Sequence, residues 1–207
     1  MAGVDGTKGG WVAVVLEGGR FADDLVLRPI ETSFDELADV SVIAVDIPIG
    51  FGPRHADVSA RAFLAGAAST VFSTPSREVL AVPFGPGLGV SAQAHSLGPR
   101  IIHVTGLAPS DARLVEVHPE VSFRAMNRGQ PLLHQKKSSG GALERLDLLR
   151  EHGIEFAGLR AASQIPLDDV LDAAAAAWSA DRIATGRAIS LPDPPEEKEG
   201  RAVAIWY

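Results

Sequence analysis

The stretch Val42–Phe51, VIAVDIPIGF, decides how the chain is read. Four small or β-branched apolar residues run straight into Asp46, and Pro48 and Gly50 mark where regular pairing must stop. A short apolar run bounded by turn residues is the pattern of a strand buried on both faces of a sheet, which puts Asp46 at or near the strand end. A lone carboxylate in that position is costly unless it is paired, hydrogen-bonded or bound to a metal. What the rest of the chain brings beside Asp46 therefore decides its chemistry.

Toward the N-terminus, Gly3 to Leu27 reads as three strands joined by tight turns. Asp5 lies in the first, Gly6-Thr7-Lys8-Gly9-Gly10 makes a hairpin turn, Val12–Leu16 forms the second, and Gly18-Gly19 turns the chain into Phe21–Leu27. Ser33 with Glu36 forms a capping-box pattern, which predicts a short helix Phe34–Ala38 ahead of the Val42 strand. Phe51 to Ser110 is rich in Gly and Pro and reads as an insertion or lid over the sheet, at about 51–110 of a single domain spanning 1–207. It should hold a helix Asp57–Gly66, a loop through Ser73-Thr74-Pro75, a flexible VPFGPGLGV at 82–90, and a second helix Gly89–Leu97 closed by Gly98-Pro99.

Beyond it, Leu114–Val117 resumes strand character and Pro119 leads into a helix Glu120–Met126. Pro131–Gly141 reads as a polar loop carrying Lys136 and Lys137, followed by a helix Ala142–His152 that Gly153 stops. Leu167–Thr185 is an Ala-rich helix, between Pro166 and Gly186, whose thin side can approach a sheet closely. Leu191–Gly200 is expected to be a solvated loop, and Ala202–Tyr207 an edge strand or packed tail.

At 207 residues and 46% hydrophobic, the chain can bury the core of a globular α/β protein. It has no cysteine, which excludes disulfides, thiolate metal sites and a Cys nucleophile. It enters its first strand almost at once and holds no run of about 18 apolar residues, so a soluble, cytoplasmic protein with no membrane partner is expected. The net charge of -7 argues against a broad basic surface, although a local basic groove is compatible with it. A carboxylate cluster built for metal would account for much of the negative charge.

Four carboxylates stand out: Asp5, Asp46, Asp169 and Asp172, the last two on one face of the final helix. If the first and Val42 strands are neighbours and that helix packs across their ends, the four converge. Two like charges about 4 Å apart repel by roughly 4 kcal/mol at an effective dielectric near 20, and a divalent cation is the natural compensation.

A strand with Asp5, two hairpin strands, a helix, a strand with Asp46 and a late helix with Asp-x-x-Asp resembles the RNase H-like fold of ribonucleases H and RuvC-type resolvases. More closely, VDGTKGGWVAV, VDIPIGF, STVFSTPSREVL, VEVHPEVSF, the Lys136-Lys137 loop and DDVLDAAAAAWSA together resemble a family of predicted RNase H-like nucleases, over nearly the whole chain. The resemblance implies an α/β fold with a mixed sheet and helices on both faces, and a metal-dependent phosphodiester hydrolase acting on RNA, DNA or a nucleotide. On that reading Asp5, Asp46 and Asp172, with Glu120, are catalytic, and Asp5, Asp46, Asp169 and Asp172 hold two Mg²⁺ or Mn²⁺ ions about 3.5 to 4 Å apart. Lys136, Arg77 and Arg124 suit phosphate contacts.

Each residue also has a plainer reading. Asp5 can shape the turn after its strand, Asp46 can accept a structural hydrogen bond, and Asp168 can cap the last helix, with Asp169 favoured in its first turn by the helix dipole. Asp172 lies a turn further in, where capping does not explain it. Glu116 and Glu120 flank His118-Pro119 and can approach the metals, or Glu120 can cap the following helix; His118 is more often a packed, hydrogen-bonded histidine than a base. Lys136, Arg77 and Arg124 can be solvated surface charge, and Trp11, Trp178 and Trp206 packing residues. Two rival functions share the pattern: ATP-dependent phosphotransfer of the actin-like type, which would need a second Gly-rich phosphate hairpin not found in this chain, and a non-catalytic nucleic-acid or nucleotide binding module.

Overall fold

Alternation of apolar residues builds an antiparallel meander from the first 27 positions of the computed structural model, which describes all 207 residues. Strands β1 (Ala2–Thr7), β2 (Gly10–Glu17) and β3 (Arg20–Leu27) pair in sequence, with Asp5 opposite Val12. Gly18 and Gly19 both have positive φ, at 56° and 76°, as the tight turn between β2 and β3 requires. The buried run read from Val42 is β4 (Ile43–Val45), which joins the free side of β1 in parallel, with Val4 opposite Val45.

The chain then forms helices α1 (His55–Leu64), α2 (Arg77–Leu80), α3 (Ala92–Ser96) and α4 (Gly98–Leu107) before β5 (Leu114–Glu116) pairs in parallel with β4. Helices α5 (Pro119–Met126), α6 (Ser139–Glu151) and α7 (Leu167–Ala184) follow, and a hairpin of β6 (Ser190–Lys198) and β7 (Arg201–Trp206) ends the chain. The main sheet is mixed, in the order β3-β2-β1-β4-β5. It is covered on both faces. Ile101 and Val104 of α4 pack with Val4, Trp11 and Ala13 on one side; α5, α6 and α7 pack on Val12, Val14 and Leu16 on the other. This is the α/β architecture expected from the sequence.

The Ala run of α7 does what its thin side permits. Ala173 to Ala177 are fully buried, and a Cβ built on Gly3 of β1 would lie 2.0 Å from the Ala177 nitrogen and 2.2 Å from the Ala173 oxygen. The helix therefore rests on the strand backbone, and its second turn reaches the end of β1 beside Asp5. No helix is long and apolar enough to cross a membrane.

Four local expectations are corrected. Leu191–Gly200 is not a solvated loop: residues 190–198 are β6, because its prolines sit on a two-stranded ribbon where missing N–H groups are tolerated. The hairpin also buries Val203 and Ile205 against Ala56, Ala60 and Leu64 of α1. Gly98-Pro99 opens α4 rather than closing a helix, since proline fits a first helical turn, and the preceding helix shrinks to Ala92–Ser96. The Ser33–Glu36 pattern caps no α-helix; the Ser33 hydroxyl donates to Asp35 (2.6 Å), and a 3-10 turn covers only Asp35–Leu37. Asp168 is not the cap of α7, a position held by Pro166; it lies in the first turn with Asp169.

Candidate metal centre

Three elements deliver the carboxylates. Asp5 sits near the end of β1 with 8% of its surface exposed, and its Oδ1 accepts the Gly6 N–H at 2.6 Å. Asp46 follows β4 directly and is half-buried; its N–H donates to the Val4 carbonyl at 2.9 Å and so continues the parallel ladder to the strand end. Asp172 projects from the second turn of α7 and is 3% exposed. One carboxylate oxygen from each lies within 4.8 Å of the others.

The triad is charged at a cost. Burial pushes the Asp46 and Asp172 carboxyls up to about 7, with further repulsion on Asp46 from Glu116 and Glu120 and on Asp172 from Asp46, and against the attraction of Lys136. Asp5 is raised well above the ordinary range by burial and then by Asp46 and Asp172. Burial alone would lower the Lys136 ammonium, but Asp172, Asp5 and Asp46 hold it above its ordinary value. Its Nζ donates to Asp172 Oδ2, which leaves Asp172 Oδ1 buried without any partner. An all-oxygen donor set, crowded like charges and an orphaned carboxylate oxygen fit a hard divalent cation, so Asp5, Asp46 and Asp172 can hold a metal ion.

The profile of a family described as "Protein of unknown function (DUF429)" matches residues 3–197. The chain belongs to this DUF429 family. No curated protein and no solved structure matches it. The region matched to DUF429 runs from β1 into β6 and so contains all three carboxylates.

Of the other site candidates, Asp169 is half-buried one turn before Asp172 and lines the same cavity, where burial raises its carboxyl. Glu120 also lines it and accepts a hydrogen bond from the buried Arg145 at 2.6 Å. Arg124 lines it too, but its guanidinium donates to the Leu64 and Gly129 carbonyls at 2.6 and 2.8 Å. Arg77 is outside the cavity lining, stacked 4.3 Å over the Phe51 ring. His118 is the residue before α5; its Nε2 faces the Thr70 carbonyl at 3.3 Å, its Nδ1 has no partner, and burial lowers its pKa.

A second charged network was not anticipated from the sequence. Arg54 donates to Glu116 Oε2 and Oε1 at 2.5 and 2.8 Å and to Asp57 Oδ1 at 3.1 Å, and all three residues are buried. Asp57 also accepts from the Thr74 N–H (2.8 Å) and hydroxyl (3.1 Å), while Glu116 accepts the Ile49 N–H at 2.7 Å. The network ties the segment after Asp46, the start of α1, the Thr74 loop and the end of β5 into one unit, which fixes where β4 delivers Asp46. The only sequence signal for it was the three-residue spacing of Arg54 and Asp57 at a helix start.

Proposed function

We propose that this DUF429 protein is a metal-dependent phosphodiester hydrolase of RNase H-like fold. The observation that carries the reading is the oxygen triad of Asp5, Asp46 and Asp172, whose buried Asp172 Oδ1 lacks a partner. The strand order β3-β2-β1-β4-β5, with the two strand aspartates on adjacent parallel strands and the third on the helix across their ends, supports the fold assignment.

Asp5, Asp46 and Asp172, with Asp169 beside them, would hold Mg²⁺ or Mn²⁺, the divalent cations that suit carboxylate ligands and phosphate substrates. Such ions supply Lewis-acid activation of a water and neutralise the leaving oxygen. The protein's own groups do the rest. Arg145 holds the Glu120 carboxylate at the cavity wall, and the Arg54 network keeps the Asp46 segment in place. Lys136 balances the triad through its ion pair with Asp172.

The test is hydrolysis of bis(p-nitrophenyl) phosphate, an unspecific phosphodiester. The reading predicts turnover with Mg²⁺ or Mn²⁺, none with EDTA, and none in folded Asp46→Asn or Asp172→Asn protein. Metal-dependent turnover that survives in both variants, or no turnover in the wild type, would overturn it.

A further inference from the structure

The cavity above the triad limits what can reach it. Its volume is about 910 Å³, within the range of sites that enclose one small ligand. The three aspartates line it together with segments distant in sequence: residues 66–67 and 69–72 after α1, Gln93 and Leu97 near α3, and residues 134–137 ahead of α6. That is room for a ligand of about dinucleotide size, held between these segments.

The charges point the same way. Six lysines and arginines line the cavity, and five are already engaged within the protein. Arg54 is bound to Asp57 and Glu116, Arg145 to Glu120, and Lys136 to Asp172. Arg124 is bound to two carbonyls, and Arg100 to the carbonyls of Thr7 and Gly10. What remains is Lys137, which makes no hydrogen bond or ion pair, and the unpartnered Nε of Arg100, which packs on Gly6 beside Asp5. A protein that tracks a nucleic-acid backbone neutralises about 6–10 phosphates. This cavity offers a ligand one free cation, the exposed Lys137, because the Arg100 Nε is buried, in a chain of net charge -7.

We infer that the substrate is a small phosphodiester of about dinucleotide size, taken into the cavity as a unit, free or as the end of a single strand, and that duplex nucleic acid is excluded. The inference rests on the hydrolase reading for the kind of bond, and on cavity size and engaged cations for the size of the ligand.

Titration calorimetry of the full-length protein in Mn²⁺ tests it with three uncleavable probes whose bridging oxygen is replaced by CH₂. They are a dinucleotide, a 20-residue single strand with that linkage at its end, and a blunt duplex of the same length. The dinucleotide should bind one to one, at least about 100-fold tighter than the duplex, with a salt slope no steeper than about -0.7, as expected for its single phosphorus group. Lys137→Ala should weaken dinucleotide binding several-fold and leave the Mn²⁺-induced melting shift unchanged. Equal affinity for the strand end and the dinucleotide makes the free unit sufficient, whereas a strand end at least tenfold tighter identifies strand termini as the source. Duplex binding as tight as that of the dinucleotide, or no dinucleotide binding, would overturn the inference. The two readings fail separately. Hydrolysis of bis(p-nitrophenyl) phosphate without dinucleotide binding removes only the size assignment, and dinucleotide binding without hydrolysis of any diester removes only the hydrolase.

Discussion

Acidifying the metal-free protein should stabilise it. Burial holds the Asp46 and Asp172 carboxyls at about 7, whereas an aspartate in an unfolded chain titrates near 3.9. Between those values the folded state keeps a proton that the unfolded chain has released, so stability falls as pH rises through the window and returns as pH falls. One such proton is worth about 1.4 kcal/mol per pH unit. From pH 7 to pH 5 that is up to about 3 kcal/mol, and a chain of this length shifts its Tm by roughly 2–4 °C per kcal/mol. Asp5, Glu116 and Asp169 are raised by burial and act in the same direction. His118 opposes them, because burial lowers its pKa and the folded state resists the proton it would take below about 6.5. A net rise of several degrees is expected in thermal melts with EDTA. Asp46→Asn should flatten this dependence and leave the Tm at pH 8 unchanged or higher; it is a cleaner variant than Asp172→Asn, which also loses the Lys136 pair. In Mn²⁺ the slope should reverse, since the cation needs ionised carboxylates. A wild-type Tm that ignores pH in EDTA, or an equal slope in Asp46→Asn, would refute the shared-charge argument.

Lys136→Met should cost about 1–3 kcal/mol at pH 8 in EDTA, between the values for exposed and buried pairs, because Lys136 is one-third exposed and Asp172 almost fully buried; most of the loss should return with Mn²⁺, and a variant melting like wild type in EDTA would contradict the pair. Arg54→Met strands two buried carboxylates and should cost about 3–5 kcal/mol, with Arg54→Lys restoring little because a lysine cannot reproduce the forked contact; denaturant unfolding measures both. Gly3→Ala drives a methyl group into the α7 backbone and should cost at least about 1–3 kcal/mol, so a Tm within 1 °C of wild type would show that α7 does not rest on β1 as described.

Asp46 and Asp172 were legible as candidates because each signal was local. An apolar run ending in an aspartate marks a strand end, and an aspartate past the capping turn of an Ala-rich helix has no reason of its own to be there. The β1–β4 adjacency that brings them together was a condition of the sequence reading, and the structure supplies it. What was not legible depends on partners distant in sequence. Glu116 finds Arg54 from 62 residues away, and Lys136 finds Asp172 from 36. Two of the misreadings come from proline, which marks a helix start as readily as a stop and a ribbon strand as readily as a loop. Pro99 and Pro192 each took the less expected role because Ile101 and Val104, and the paired β7, supplied packing that a local reading does not see.

The most direct test of the metal-binding triad is an anomalous difference map from crystals of the wild-type protein soaked in Mn²⁺. A peak is expected bonded to carboxylate oxygens of Asp5, Asp46 and Asp172, with Asp172 Oδ1 no longer without a partner, and no such peak in Asp46→Asn crystals treated in the same way. A map in which manganese binds elsewhere, or in which the three carboxylates bind none while Lys136 stays on Asp172, would contradict it.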